Sequence, residues 1–116
     1  MNPIKEKSFS FALKIISCYK YLTSERNEYV MSKQLLRSGT AIGAIYREAE
    51  HAESRADFIH KMAIAQKESS ETLYWIDLLA SSNYIDNELH TELSSRNIEL
   101  NKLISSIIIT SKAKRR

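Results

Sequence analysis

Residues that make tight turns are scarce in this chain, which has two glycines and one proline among its 116 residues. A sheet protein of this length needs many tight turns, and these two residue types supply a large share of them. Their scarcity therefore argues against a sheet fold and favours a few long helices.

Cysteine and long apolar runs are also scarce. The one cysteine, Cys18, cannot form a disulfide within the chain and is expected as a small core residue. The sequence contains neither a signal-peptide pattern nor an apolar run of about 18 residues. We therefore expect a cytoplasmic protein with no membrane segment.

The net charge of +3 comes from the C terminus of the chain. Without the basic tail, residues 112–116, the chain has 13 basic and 14 acidic side chains. The tail offers a weak, salt-sensitive contact for nucleic acid. The simpler interpretation, which we prefer for the tail alone, is a solvated end of the chain. The candidate nucleic-acid contacts are Lys112, Lys114, Arg115 and Arg116.

Apolar residues recur at steps of three and four in four segments, as in amphipathic helices. This spacing predicts helices over residues 5–24, 27–53 and 55–82, and a fourth that Asp86 caps and that runs to residue 112. Ser54 and Asp57 resemble a capping box at the start of the third helix, and Asn83 suits its end. Short connections then favour one all-α domain over residues 1–116, an antiparallel up-down-up-down four-helix bundle.

The same spacing predicts which side chains face the bundle core. These are Phe11, Ile15, Cys18, Tyr19 and Leu22; Leu35, Ser38, Ile42, Ile45, Ala49 and Ala52; Phe58, Met62, Ala65, Ser69, Thr72, Ile76 and Leu79; and Leu89, Leu93, Leu100, Leu103, Ile104 and Ile107. Phe9, Leu13 and Ile16 fall on another side of the first helix. More apolar surface is then left outside than a small monomer usually exposes, which favours an oligomer that assembles as a ring.

A second stripe on the third helix combines carboxylates with an aromatic residue. A turn centred on Ser54 places Arg37 level with Glu71, since both lie 17 positions from it. The same reflection places Glu48 near His60. We therefore predict a partly buried polar cluster that serves as an interface or binds a cation or a basic peptide; the alternative is a solvated face of exchanging salt bridges. Its residues are Arg37, Glu48, Glu68, Glu71, Tyr74 and Trp75.

Both glycines lie inside the second predicted helix. Gly39 and Gly43 each cost up to about 1 kcal/mol relative to alanine at such positions, so a close helix approach must offset this cost. With Ala44 they form a surface of small residues. Either a crossing within one chain or a contact between subunits explains it.

Two short motifs raise the possibility of a carboxylate-histidine metal enzyme. Glu48-x-x-His51 and Asp57-x-x-His60 have the spacing found in di-iron bundles, but His51 falls roughly opposite the predicted core. Solvated histidines explain the spacing better. No catalytic motif or phosphate-binding loop is present, so we expect no catalytic residues, metal or cofactor.

The segment QLLRSGTAIGAIYREAE, followed by S-x-x-DFIHKMAIAQKESSETLYWIDLL, resembles the bacterial family of four helix bundle proteins, also described as 23S rRNA-intervening sequence proteins. The resemblance rests on the pairs Arg37-Ser38, Gly43-Ala44, Asp57-Phe58 and Tyr74-Trp75, together with Glu48 and Glu68-x-x-Glu71. It implies a four-helix bundle that assembles as a homopentamer. The family is also similar to the accessory protein of diversity-generating retroelements, a basic pentamer that partners a reverse transcriptase and nucleic acid.

These observations together predict a non-enzymatic homo-oligomeric scaffold. Its expected partners are further copies of the chain, and RNA or a protein associated with nucleic acid. The alternatives are a direct RNA-binding module and, less favoured, the carboxylate-histidine metal enzyme.

Overall fold

The structure is a computed structural model that describes residues 2–114. Its helices are α1 (Pro3–Ser24), α2 (Met31–Ala49), α3 (Arg55–Ser81) and α4 (Asn87–Lys114). Each helix packs against the two that neighbour it around the bundle, and all four contribute side chains to one core. The predicted up-down-up-down bundle is therefore confirmed. Arg115 and Arg116 of the basic tail lie outside the described residues.

Most of the predicted inner positions form the core. Phe11, Ile15, Leu35, Ile76 and Leu100 are among the fully buried side chains. The structure also buries residues that the spacing did not predict, and these are Ile4, Ser8, Glu28, Ser32, Gly39, Tyr46, Ile59, Ile85 and Asn97. Of the predicted positions, Ile45, Phe58, Leu89, Leu103 and Ile107 are half-buried and pack against the core, and Tyr19 and Ala52 are half-buried.

The start of α2 lies four residues later than predicted. Asn27 adopts a left-handed conformation with φ of 52°, which a helix cannot contain. The Glu28 carboxylate then accepts hydrogen bonds from the backbone N–H groups of Val30 (3.3 Å), Met31 (3.1 Å) and Ser32 (2.7 Å). These bonds satisfy donors that the first turn of a helix leaves free. Glu28 therefore decides where α2 begins.

The turn after α2 is where the sequence places it, although α2 ends at Ala49 and not at residue 53. Ser54 Oγ accepts a hydrogen bond from the Asp57 N–H at 3.0 Å, and Asp57 Oδ2 accepts one from the Glu53 N–H at 3.2 Å. The predicted cap of α3 is thus present. Because α2 and α3 run antiparallel from this turn, side chains at matching distances from Ser54 meet across the helix pair.

At the opposite end of the bundle, one arginine joins both helix connections. Arg26 Nη1 donates hydrogen bonds to the carbonyls of Asn83 (3.0 Å) and Tyr84 (2.9 Å), and its guanidinium lies over the Tyr84 ring. Asn83 has φ of 66°, as expected at the end of a helix, and Asp86 Oδ1 caps α4 through the Leu89 N–H at 2.8 Å. The α1–α2 and α3–α4 connections are therefore held together.

Candidate functional interface

The predicted contact between α2 and α3 is present. Arg37 Nη1 lies 3.2 Å from Glu68 Oε1, and Arg37 Nη2 contacts Glu71 Oε2. The Trp75 indole N–H donates to the same Glu71 oxygen at 3.1 Å. Beneath this network, Thr72 Oγ1 donates to Ser38 Oγ at 2.9 Å in the core. The cluster therefore fixes the register of α2 against α3 and orients the Trp75 ring.

The carboxylates of this cluster are partly buried. The Glu68 side chain is 19% exposed and that of Glu71 is 36% exposed, which agrees with the expectation that at least one glutamate is semi-buried. The indole hydrogen bond, followed by the bond from Arg37, lowers the pKa of Glu71. The hydrogen bond to Glu71 raises the pKa of the Arg37 guanidinium. Both side chains therefore stay charged, and the cluster is suited to binding and orientation.

Glu48 lies apart from this cluster, although the sequence groups it there. It is eleven residues along α2 from Arg37, which corresponds to about 16 Å. Among residues 2–114, Glu48 has no cationic group within ion-pair distance. Glu48 therefore adds negative charge at the far end of the α2/α3 surface, outside the hydrogen-bond network.

Exposed aromatic and aliphatic side chains border the cluster on α3. Tyr74 is 58% exposed, and its ring meets the half-buried Trp75 ring edge to face at 5.2 Å. Ile64 is 37% exposed on the same helix. Aromatic side chains with an apolar body and a polar tip are enriched in protein interfaces. The α2/α3 surface thus combines fixed charges with apolar contact area.

The two glycines serve a close crossing within the chain. A Cβ atom at Gly39 would lie 2.8 Å from Ile15 Cγ1, and one at Gly43 would lie 3.2 Å from Ser8 Oγ, both on α1. The first of these separations is too short for a real contact. Gly39 and Gly43 therefore allow α1 and α2 to approach, whereas Ala44 is exposed beside the crossing and is not part of it.

A second exposed apolar surface lies over this crossing. On α1, Phe9 is 54% and Leu13 is 52% exposed, and the Arg47 guanidinium of α2 lies 5.6 Å from the centre of the Phe9 ring. Phe9, Gly43, Ala44 and Arg47 are among the residues that line a shallow groove of about 250 Å³ between the two helices. The small residues of α2 thus leave room for another side chain next to Phe9.

Sequence reasoning missed a buried amide network between α3 and α4. Asn97, 1% exposed, accepts a hydrogen bond from Ser69 Oγ at 3.0 Å and donates to the Ser69 carbonyl at 2.9 Å. Asn101 donates to Ser69 Oγ at 3.1 Å and accepts from Gln66 at 3.3 Å. The available signal was the spacing of four residues from Leu93 to Asn97 to Asn101 and of seven residues from Asn97 to Ile104, but a search for apolar residues passes over the two asparagines. The network fixes the register of α3 against α4.

The histidines and the cysteine occupy separate environments. His51 and His60 are exposed, and His90 lies 2.9 Å from Asp77. Within residues 2–114, no group of three or more His, Cys, Asp or Glu side chains is placed to hold a metal ion. Burial raises the pKa of the Cys18 thiol to about 11, which leaves it protonated and poorly nucleophilic at neutral pH.

The described part of the basic tail continues α4 beyond its neighbour. Lys7 and Lys14 of α1 pair with Glu99 and Glu92 of α4 at 2.7 and 3.2 Å, which places Pro3 level with about residue 103. The last eleven residues of α4 therefore extend about 16 Å past the start of α1. Lys112 and Lys114 are exposed on this extension. In the part of the chain that is described, no helix has both the length and the apolar character needed to cross a membrane.

Comparison with known proteins identifies a family and a close structural relative. The profile of a family described as 23S rRNA-intervening sequence protein matches residues 2–106. A solved structure of a protein of unknown function from the S23 ribosomal protein family of Bacteroides thetaiotaomicron VPI-5482 is 53% identical in sequence. The match covers 90% of this chain and 97% of that one, with a TM-score of 0.90. No curated protein gives a significant match.

Proposed function

The chain belongs to the 23S rRNA-intervening sequence protein family, and on this basis we propose that it is a non-enzymatic scaffold that assembles from identical subunits. The observation that carries this proposal is the apolar surface outside the bundle. Phe9, Leu13 and Tyr74 are each more than half exposed. Large apolar side chains that are exposed on two outer sides of a small bundle favour contacts with other protein surfaces.

The assembly is a ring, most simply the homopentamer that the family resemblance implies. The α2/α3 surface supports this because Arg37, Glu68 and Glu71 form a preoriented polar network beside Tyr74 and Trp75. A packed interface gains from polar groups that are already held in place, since less side-chain freedom is lost on binding.

The scaffold acts in the cytoplasm and presents its α4 ends to a partner that carries RNA or binds it. Lys112 and Lys114 support this role because both are exposed on the end of α4 that extends past the start of α1, and neither has a carboxylate within ion-pair distance in residues 2–114. Several such ends on one ring would raise the effective concentration of positive charge.

Native mass spectrometry of the untagged full-length protein tests this proposal, with bound nucleic acid recorded in the same spectrum. We expect five subunits. A monomer at micromolar concentration would rule out the scaffold. An assembly with another number of subunits would reject the pentamer and keep the oligomer.

Direct RNA binding is the second candidate function, and the exposed basic side chains at the end of α4 are the observation that favours it. Replacing Lys112, Lys114, Arg115 and Arg116 by serine should reduce the salt dependence of single-stranded RNA binding by a slope of about 3. The control replaces Lys67 and Lys102, both exposed elsewhere, by serine. Equal RNA affinity of the tail variant and the unmodified chain at physiological salt would exclude the tail as the contact.

A further inference from the structure

Three cations without carboxylate partners lie on the outer side of α1 and α2. Lys20, Lys33 and Arg47 are exposed, and none has an acidic oxygen within 4.0 Å among residues 2–114. Lys33 and Arg47 are separated by fourteen residues, which places them on one side of α2 about 21 Å apart. Glu6 is an exposed carboxylate near Phe9, which leaves a net charge of +2 on this side.

These cations frame the exposed apolar residues of α1. Gly39 meets Ile15 and Gly43 meets Ser8, so the antiparallel register puts Lys33 level with about residue 20. Lys20 and Lys33 therefore lie at one end, Arg47 at the other, and Phe9 and Leu13 in the region that they bound. We call this surface the basic face; it consists of Phe9, Leu13, Lys20, Lys33 and Arg47.

The α2/α3 surface has the opposite character. Its acidic groups are Glu48, Glu68 and Glu71, and its basic groups are Arg37 and Lys67, which leaves a net charge of −1. The stripe from Ile64 to Leu78 on α3 again spans fourteen residues, or about 21 Å. We call this surface the acidic face; it consists of Arg37, Glu48, Ile64, Lys67, Glu68, Glu71, Tyr74, Trp75 and Leu78.

We propose that the acidic face of one copy of the chain docks on the basic face of a second copy, head to tail. This inference rests on the proposed function and names the surfaces that meet. The two faces agree in length, carry net charges of opposite sign and both expose apolar side chains. Like faces would place equal charges against each other, which disfavours a symmetric dimer through either face.

Head-to-tail docking also determines the kind of assembly. Both faces use α2, so they lie on adjacent sides of a four-cornered bundle, and their outward directions differ by roughly 90°. Contacts between two different faces form a closed ring when the rotation between copies is a simple fraction of a turn, here about a quarter to a fifth. The geometry therefore favours rings of four or five subunits over open filaments.

Two blocked variants test this proposal by native mass spectrometry. Leu13→Asp blocks the basic face, and Tyr74→Asp blocks the acidic face; both positions are about half exposed, so folding should be retained and is checked by circular dichroism. Each variant alone should be monomeric. An equimolar mixture should form a one-to-one heterodimer, since each variant keeps the face that the other has lost. Ile98→Asp, at an exposed position on α4, is the control and should assemble as the unmodified chain does.

The outcomes separate this inference from the scaffold proposal. An unmodified chain that is monomeric overturns both. An unmodified chain that assembles, with either variant alone still assembling or the mixture staying monomeric, overturns the head-to-tail pairing only. Within the heterodimer, Arg47→Glu on the Tyr74→Asp chain should raise Kd at least about tenfold. The substitution places a negative charge opposite the acidic face of the other chain. Lys102→Glu on the same chain should change Kd by less than about twofold, and an equal effect of the two reversals would refute the charge pairing.

Discussion

The close crossing of α1 and α2 gives the sharpest stability prediction, because alanine at Gly39 improves the helix and worsens the packing. Alanine in a helix interior is favoured over glycine by about 1 kcal/mol. At Gly39, however, the new Cβ would lie 2.8, 2.9 and 3.1 Å from Cγ1, Cγ2 and Cδ1 of Ile15. Ile15 is fully buried, so its side chain can move away only by displacing other core residues.

Overpacking of this kind costs about 1–3 kcal/mol, so Gly39→Ala should lower the free energy of unfolding by up to about 2 kcal/mol after the gain in helix propensity. Gly43→Ala is the matched control. Its Cβ would meet Ser8 Oγ at 3.2 Å and Ser8 Cβ at 3.4 Å, and a hydroxyl can rotate away. We expect this control to be neutral or up to about 1 kcal/mol more stable.

A double-mutant cycle isolates the cause. Ile15→Ala removes all three atoms that the new Cβ would meet and should cost about 2–5 kcal/mol alone. In that background Gly39→Ala should stabilise the protein by up to about 1 kcal/mol, a reversal of sign. Urea unfolding followed by far-ultraviolet circular dichroism measures all four proteins at one concentration, since association shifts apparent stability. The same loss from Gly39→Ala in both backgrounds would refute the explanation.

Four further predictions concern single buried or partly buried groups. Glu28→Ala should lower the unfolding free energy by about 1–2 kcal/mol because three backbone donors lose their acceptor, and Glu28→Gln should recover part of this in urea unfolding; no loss in either would show that the cap is unimportant. Asn97→Asp should destabilise more than Asn97→Leu in thermal unfolding because it buries a charge beside Ser69, and the reverse order would contradict the network. The indole and then the guanidinium that contact Glu71 lower its pKa, so its contribution is present above the unfolded pKa of about 4.3 and is lost as pH falls through the folded pKa. The stability difference from Glu71→Gln should therefore be constant at pH 6–8 and shrink below about pH 4; a difference that grows on acidification has the wrong sign. Cys18 should resist alkylation by iodoacetamide at pH 8 in buffer and react in urea, whereas rapid reaction in buffer would contradict its burial.

Local patterns in the sequence were sufficient for the fold. The spacing of apolar residues predicts four helices, and the cap at Ser54 predicts the turn that makes α2 and α3 antiparallel. The level pairing of Arg37 with Glu71 follows from that turn, since an α-helix has a fixed rise per residue. These features depend on neighbours within a few positions or on one short connection, so they can be read from the order of residues.

The tertiary structure decided what depends on the sides of helices and on distant partners. A search for apolar residues does not identify Glu28 or Asn97 as structural residues. Yet Glu28 caps the start of α2, and Asn97 is buried against Ser69. From the sequence alone, the surface of small residues could serve a crossing within the chain or a contact between subunits. Only the packing of α1 shows that Gly39 and Gly43 face α1 while Ala44 is exposed. By itself the sequence determined how many helices form and in which order they run, because periodicity and caps act locally. The packed bundle determined which polar groups are buried and which charges remain free on each outer face, because both depend on which side of each helix packs against its neighbours.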